Sequence, residues 1–151
     1  MLEVWRDGDE YRVRVVESCD APAEAVYDLL ADLRSHLEWG GNRLARSAQR
    51  LLSLDAPPGP AKKGTKFSSV GHTSGRAWHD TSLVTEAIRP YTFEFRTHGQ
   101  LEDRPDDHPV AGDWIHRYDM AADGRGCILT YRMVARLTMP WYSPTIQAKA
   151  V

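Results

Sequence analysis

The side chains best suited to chemistry recur at alternate positions in the second half of the chain. Between Trp114 and Met120 the residues Trp114, His116, Tyr118 and Met120 alternate with polar ones such as Arg117 and Asp119. Leu129, Tyr131, Met133, Ala135 and Leu137 repeat the pattern after Cys127, and Phe93 and Phe95 do so within Tyr91–Thr97. A period of two places each set on one face of a strand. Paired in an antiparallel sheet, these faces make an aromatic surface with a few polar tips, the composition of a small-molecule pocket. His116 beside Tyr118 is the sharpest pair. A histidine in apolar surroundings can act as general acid or base near neutral pH, and a tyrosine can polarise a carbonyl. The same residues also describe a plain hydrophobic core, in which amphipathic aromatics find partners for their polar ends.

Other chemistries find little footing. His79 and Asp80 are adjacent, so on a strand they face opposite sides and cannot form a dyad. His72, His79 and His98 have no partner that periodicity reveals. No His-Glu-x-x-His and no Cys/His tract supports a metal. Asp103, Asp106, Asp107 and His108 share a proline-interrupted loop without the spacing of a calcium loop. Gly59–Lys66 lacks a preceding strand and the Lys-Thr order of a phosphate loop, and neither a nucleophile elbow nor a dinucleotide fingerprint occurs. No cofactor is called for.

The 151 residues suit one domain. Nineteen Lys and Arg against 21 Asp and Glu give a net charge of −2, without the basic excess of a nucleic-acid binder. The apolar runs are far shorter than the ~18 residues of a membrane span. Cys19 and Cys127 form no Cys-x-x-Cys motif and read as buried free thiols. The N-terminus shows no basic region followed by an apolar one, so a cytoplasmic location is the default expectation.

The elements that position the aromatic residues follow from pattern and punctuation. Tyr11–Ser18 alternates as a half-buried strand. Asp20-Ala21-Pro22-Ala23-Glu24 predicts a helix start capped by Asp20, with an apolar face of Val26, Leu29, Leu30 and Leu33. A second helical turn spans Arg34–Trp39. Leu44–Leu54 favours helix by propensity. Ala56–Pro60 is a loop. Lys66–Thr73, Arg76–Ile88 and Tyr91–Thr97 read as strands, and Gly99–Gly112 as a polar loop. Asp123–Gly126 predicts a hairpin turn between Trp114–Met120 and Cys127–Leu137. Ser143-Pro144 opens a short terminal helix. Strands grouped apart from helices indicate an α+β layout with an antiparallel sheet.

The run YRVRVVESCDAPAEAVYDLLADLRSHLEW resembles the opening of the polyketide cyclase/dehydrase and START-like superfamily, the helix-grip or SRPBCC proteins. Ala21, Pro22, Glu24, Val26, Tyr27, Leu29, Leu30, Ala31, Asp32 and Trp39 match its strand–helix–Trp pattern. Gly64, Glu86, Pro90 and Phe93-Glu94-Phe95 fit its middle strands, and DWIHRYDMAADGRGCILTYRMVARL fits its last hairpin. The resemblance covers residue 11 to about residue 140. It implies a seven-stranded antiparallel sheet, with two short helices after the first strand, wrapped around a C-terminal helix with an apolar cavity between. It also recasts Leu44–Leu54 as the second strand.

Two departures stand out. Family members end in a helix of about 20 residues, roughly 30 Å long, whereas Pro144–Val151 would span about 12 Å. Either more chain follows Val151 or a partner, such as a second copy in a homodimer, closes the gap. The Gly99–Gly112 loop also exceeds ordinary hairpin lengths, as a lid would.

The resemblance implies a hydrophobic, aromatic or polyketide-like ligand and, if the protein is an enzyme, polyketide cyclisation or dehydration. His116 is then the expected proton shuttle, with Tyr118 and Tyr131 as carbonyl-orienting donors. Trp39, Phe67, Trp78, Phe93, Phe95, Trp114 and Met133 are the expected walls. The competing classes are a non-catalytic lipid or metabolite carrier or sensor, and an interaction module using the sheet face.

Overall fold

The computed structural model describes residues 1–39, 49–73, 76–102 and 110–138. Eight strands form one antiparallel sheet: β1 (Leu2–Asp7), β2 (Glu10–Cys19), β3 (Gln49–Asp55), β4 (Lys66–Thr73), β5 (Arg76–Ile88), β6 (Thr92–Leu101), β7 (Ala111–Asp123) and β8 (Gly126–Thr138). Their spatial order is β1-β2-β8-β7-β6-β5-β4-β3. Between β2 and β3 lie α1 (Ala23–Ala31), a 3-10 turn (Leu33–Ser35) and α2 (His36–Trp39).

The strand count is one more than the seven expected. β1 escapes the alternation test because all six of its residues are exposed, so neither face needs an apolar pattern. It pairs with β2 through the Asp7–Glu10 turn, where Gly8 takes a positive φ of 64°. The Asp123–Gly126 turn is found as predicted, closing β7 onto β8. The long polar loop is shorter than expected: β6 runs to Leu101 and β7 begins at Ala111, so Gly99–Leu101 and Ala111–Gly112 belong to the ladder. Gln49–Asp55 is a strand, against its helix propensity, because β4 offers it a partner. Leu44–Ala48, the acidic loop residues Asp103–His108 and the terminal Ser143–Val151 lie outside the described residues.

Helix α1 departs from its expected start and, at Leu29 alone, from its expected face: Leu30 and Leu33 are buried and Val26 packs against the core. Pro22, not Asp20, occupies the N-cap position, and no side chain caps it. The buried residues are Ala23, Tyr27, Leu30 and Ala31, while Leu29 is exposed. Tyr27, the aromatic member of that face, reaches the sheet and rotates the helix away from the Leu29 side. Asp28 anchors the helix from outside, accepting from Arg89 at 2.8 and 3.0 Å.

The sheet has two unlike faces. The one beneath α1 carries Phe93, Val84, Cys127 and Ala135, all almost fully buried. Cys127 stands opposite Cys19 in the β2–β8 register; both are free thiols, Cys127 buried and Cys19 half-buried. The outer face is ionic. Arg117 contacts Glu86 and Glu94 at 3.2 Å and Asp119 at 3.1 Å, and Asp119 also pairs with Arg132. Exposed pairs of this kind are individually worth about 0–1 kcal/mol in water. Arg117→Met is therefore expected to cost no more than about 1 kcal/mol in urea unfolding at low salt. The deficit should shrink at 1 M salt, where screening is short-ranged. A loss unaffected by salt would show that Arg117 acts through packing instead.

No helix among the described residues is long and apolar enough to cross a membrane.

Candidate functional site

Registry brings the predicted aromatic face together. Phe93 stands opposite Tyr118, and Phe95 opposite His116, in the β6–β7 ladder. In the β7–β8 ladder His116 faces Met133, Tyr118 faces Tyr131 and Trp114 faces Ala135. Directly opposed residues on one face sit close enough for ring contact. The Phe95 ring stacks on the His116 ring at 4.7 Å, and Tyr118 meets Tyr131 at 4.8 Å. Phe67 from β4 extends the row, edge-on to Phe95 at 5.4 Å.

One hydrogen bond crosses this row, joining His116 Nδ1 to Tyr131 Oη at 2.8 Å. Burial among the rings pushes the imidazole down to about 4, with His36 adding to the effect. Burial also raises both phenols, Tyr118 and Tyr131. At neutral pH the imidazole is thus uncharged and both tyrosines keep their protons. Either partner of the His116–Tyr131 bond can donate. His116, Tyr118 and Tyr131 are all half-buried.

His36 belongs to this neighbourhood although nothing in its sequence context singles it out. It is buried, 6.3 Å from the Phe95 ring and 4.4 Å from Trp39. Its Nε2 donates to the Leu30 carbonyl at 2.9 Å. Burial disfavours its charged form, so in the neutral ring Nδ1 is the acceptor nitrogen. Trp39 donates from Nε1 to Ser35 Oγ at 3.1 Å and packs against the core from α2. Trp39 therefore reaches the aromatic row by way of His36.

Trp78 sits elsewhere. Its register partners are Gly71 and Leu101, three inward positions along β5 from Val84, which faces Phe95. Its ring lies over Gly71, where a Cβ would overlap it. Its Nε1 is buried without an acceptor among the described residues. Trp114 lies over Gly112 in the same manner, and its ring edge also comes within 3.1 Å of the point a Cβ on Gly99 would occupy.

Between these two indoles stands Asp80, which sequence reasoning set aside with His79. Alternation separates the pair as expected, leaving His79 exposed and placing Asp80 on the inner face, opposite Ser69 and Gly99. The carboxylate lies flat over Gly99, in space a Cβ there would fill. Burial pushes Asp80 up to about 7, the field of His98 opposing weakly. Next to it the hydroxyls of Ser82 and Thr97 bond to each other at 2.8 Å. On the outer face His98 Nδ1 meets Asp113 Oδ1 at 2.8 Å, a partner that periodicity did not reveal. Among the described residues no group of three or more His, Cys, Asp or Glu could hold a metal ion.

No family model and no curated protein matches this chain in sequence. Solved structures do match. An uncharacterized protein from Rhizobium leguminosarum superposes with a TM-score of 0.64 at 10% identity, over 99% of this chain and 89% of its own. The Mll3558 protein from Rhizobium loti gives 0.65 at 10% identity, over 93% and 88%. Ara h 8.0201 gives 0.56 at 10% identity, over 93% and 88%. The fold is of the helix-grip type. At such identities the likeness concerns the fold alone. Within it, this helix-grip sheet has eight strands, and the short terminal helix expected to close it lies outside the described residues.

Proposed function

We propose that the protein binds an apolar, ring-containing small molecule on the α1 side of the sheet, in an internal cavity walled by Phe67, Phe95, Trp114 and Met133, with the sealed Phe93 packed behind them. Its polar handle is the His116–Tyr131 pair. The observation that carries this reading is the ring row itself. Phe67, Phe95, His116, Tyr131 and Tyr118 contact one another in sequence, and the three that bear polar atoms are half-buried rather than sealed. A sealed core gains nothing from such groups, since each needs a partner. A pocket gains orientation from them.

Binding is favoured over chemistry. An imidazole held near 4 is a weak base at neutral pH, and it has almost no acid form to donate. If the protein does catalyse cyclisation or dehydration of a polyketide-like chain, positioning supplies most of the effect. The protonated tyrosines then donate to carbonyl oxygens, and His116 accepts the proton.

2-Naphthol, an aromatic ring with one hydroxyl, is a direct probe. Tyr131→Phe should weaken its binding about five- to tenfold, the value of one neutral hydrogen bond. His116→Ala should weaken it at least as much. Calorimetric titration giving equal affinity in wild type and both variants would overturn the site. Unchanged turnover of an aryl polyketide mimic by His116→Ala would exclude His116 as the proton shuttle, and no turnover by the wild type would leave a carrier.

A further inference from the structure

Resting on that reading of the inner face, we propose that the end of the face carrying Asp80 and Trp114 receives a basic amine, so that the ligand is an apolar molecule with a cationic group. Gly99 and Gly112 remove the side chains that would otherwise hold Asp80 and Trp114 off the sheet. Both side chains settle against the same point, the missing Cβ of Gly99, which puts the carboxylate beside the indole. Among the described residues, the polar side chains opposite and next to Asp80 on this face are neutral: Ser69 across the β4–β5 ladder, and Ser82 and Thr97, already bonded to each other.

No hydrogen bond to the Asp80 carboxyl occurs among the described residues. The ionisable group whose field reaches it is His98, on the opposite face of β6. Arg76, further along β5, donates to the Glu102 carbonyl at 2.6 Å. A half-buried carboxylate without a cation is costly to the fold, and a ligand that brings the cation removes that cost. The Trp114 ring edge beside the carboxylate offers apolar contact to the carbons that carry the amine. An ammonium group satisfies the carboxylate, whereas a carbonyl could use only the protonated acid.

The test compares three probes that share one ring: 2-phenylethylamine, 2-phenylethanol and phenylacetate. NMR titration of the tryptophan indole N–H signals reads the affinity and reports on Trp114 directly. At pH 8 the amine should bind about tenfold tighter than the alcohol, and phenylacetate weakest. Asp80→Asn should erase the advantage of the amine while leaving the alcohol unchanged. Gly99→Ala, which keeps the charge but displaces the carboxylate from its seat, should reduce the advantage. An amine no tighter than the alcohol, or an advantage that survives in Asp80→Asn, overturns the proposal while the apolar site stands. An alcohol that binds tighter at pH 5.5 than at pH 8, and only with Asp80 present, overturns it in favour of a hydrogen bond donated by the acid. Failure of all three probes to bind takes the apolar-ligand reading down as well.

Discussion

Phe93→Ala should cost about 3–5 kcal/mol, among the largest losses any single truncation of this sheet can produce. Phe93 has no exposed surface. Its ring meets Tyr27 of α1 edge-on at 6.0 Å and an 89° interplanar angle, and lies 6.2 Å from Phe95. Removing it deletes buried apolar surface, leaves a cavity under the helix, and ends two aromatic contacts worth about 0.5–1.5 kcal/mol each. Phe93→Leu keeps most of the volume and should cost less than about 1.5 kcal/mol. Urea unfolding measures both. Because Tyr27 is the aromatic residue that fastens α1, Phe93→Ala should also speed hydrogen exchange at the α1 amides before global unfolding. A loss below about 1 kcal/mol would mean that the core collapses readily into the space.

The second large effect is one of pH. Asp80 is raised to about 7 in the folded state, so between its usual value near 4 and pH 7 the folded protein binds more protons than the unfolded chain. Stability must fall as pH rises through that window. His116 is lowered to about 4, so between about pH 4 and its usual value near 6.5 the unfolded chain binds more protons. Stability must rise there. In the wild type the falling Asp80 component offsets part of the rise from His116 and from His36, whose charged form burial also disfavours, and stability declines between pH 6.5 and 7. Asp80→Asn removes the falling component. At pH 7.5 it should be more stable than wild type by on the order of 3 kcal/mol, and its stability should climb from pH 4 to 6.5. Urea midpoints at pH 4.5, 5.5, 6.5 and 7.5 check both statements. Parallel profiles for the two proteins would show that Asp80 titrates as an ordinary exposed carboxyl. A gain in stability on removing the charge is the pattern expected of a group kept for binding.

How much of this was legible in the sequence depends on how local each signal is. Alternation placed Trp114, His116, Tyr118 and Met120 on one face, and the Asp123–Gly126 turn fixed their register against β8, because both depend only on near neighbours. β1 was invisible for the same physical reason: an edge strand exposed on both faces has no pattern to show. Asp80 was half legible. Its separation from His79 follows from the pleat, but its environment depends on Gly99 in the next strand and Trp114 in the one after, which no period reveals. His36 lies in a four-residue helix, too short for a periodic face, and acquires meaning only when α2 settles over Phe95. The α1 face was misjudged at Leu29 because that residue is more apolar than Tyr27, yet Tyr27 reaches Phe93.

The place of β8 between β2 and β7 has a consequence for how the chain can assemble. Until Gly126–Thr138 arrives, the β1–β2 hairpin and the β3–β7 meander share no ladder, so they are separate pieces of sheet. The ladder that unites them includes the Glu10–Arg136 contact, between residues 126 positions apart. Closing so long a loop is entropically expensive and slow. On the ribosome nearly the whole domain must emerge before either piece can be joined to the other. Until then Val13 and Val15 on one side, and Trp114, His116 and Tyr118 on the other, present unpaired strand edges to whatever is nearby.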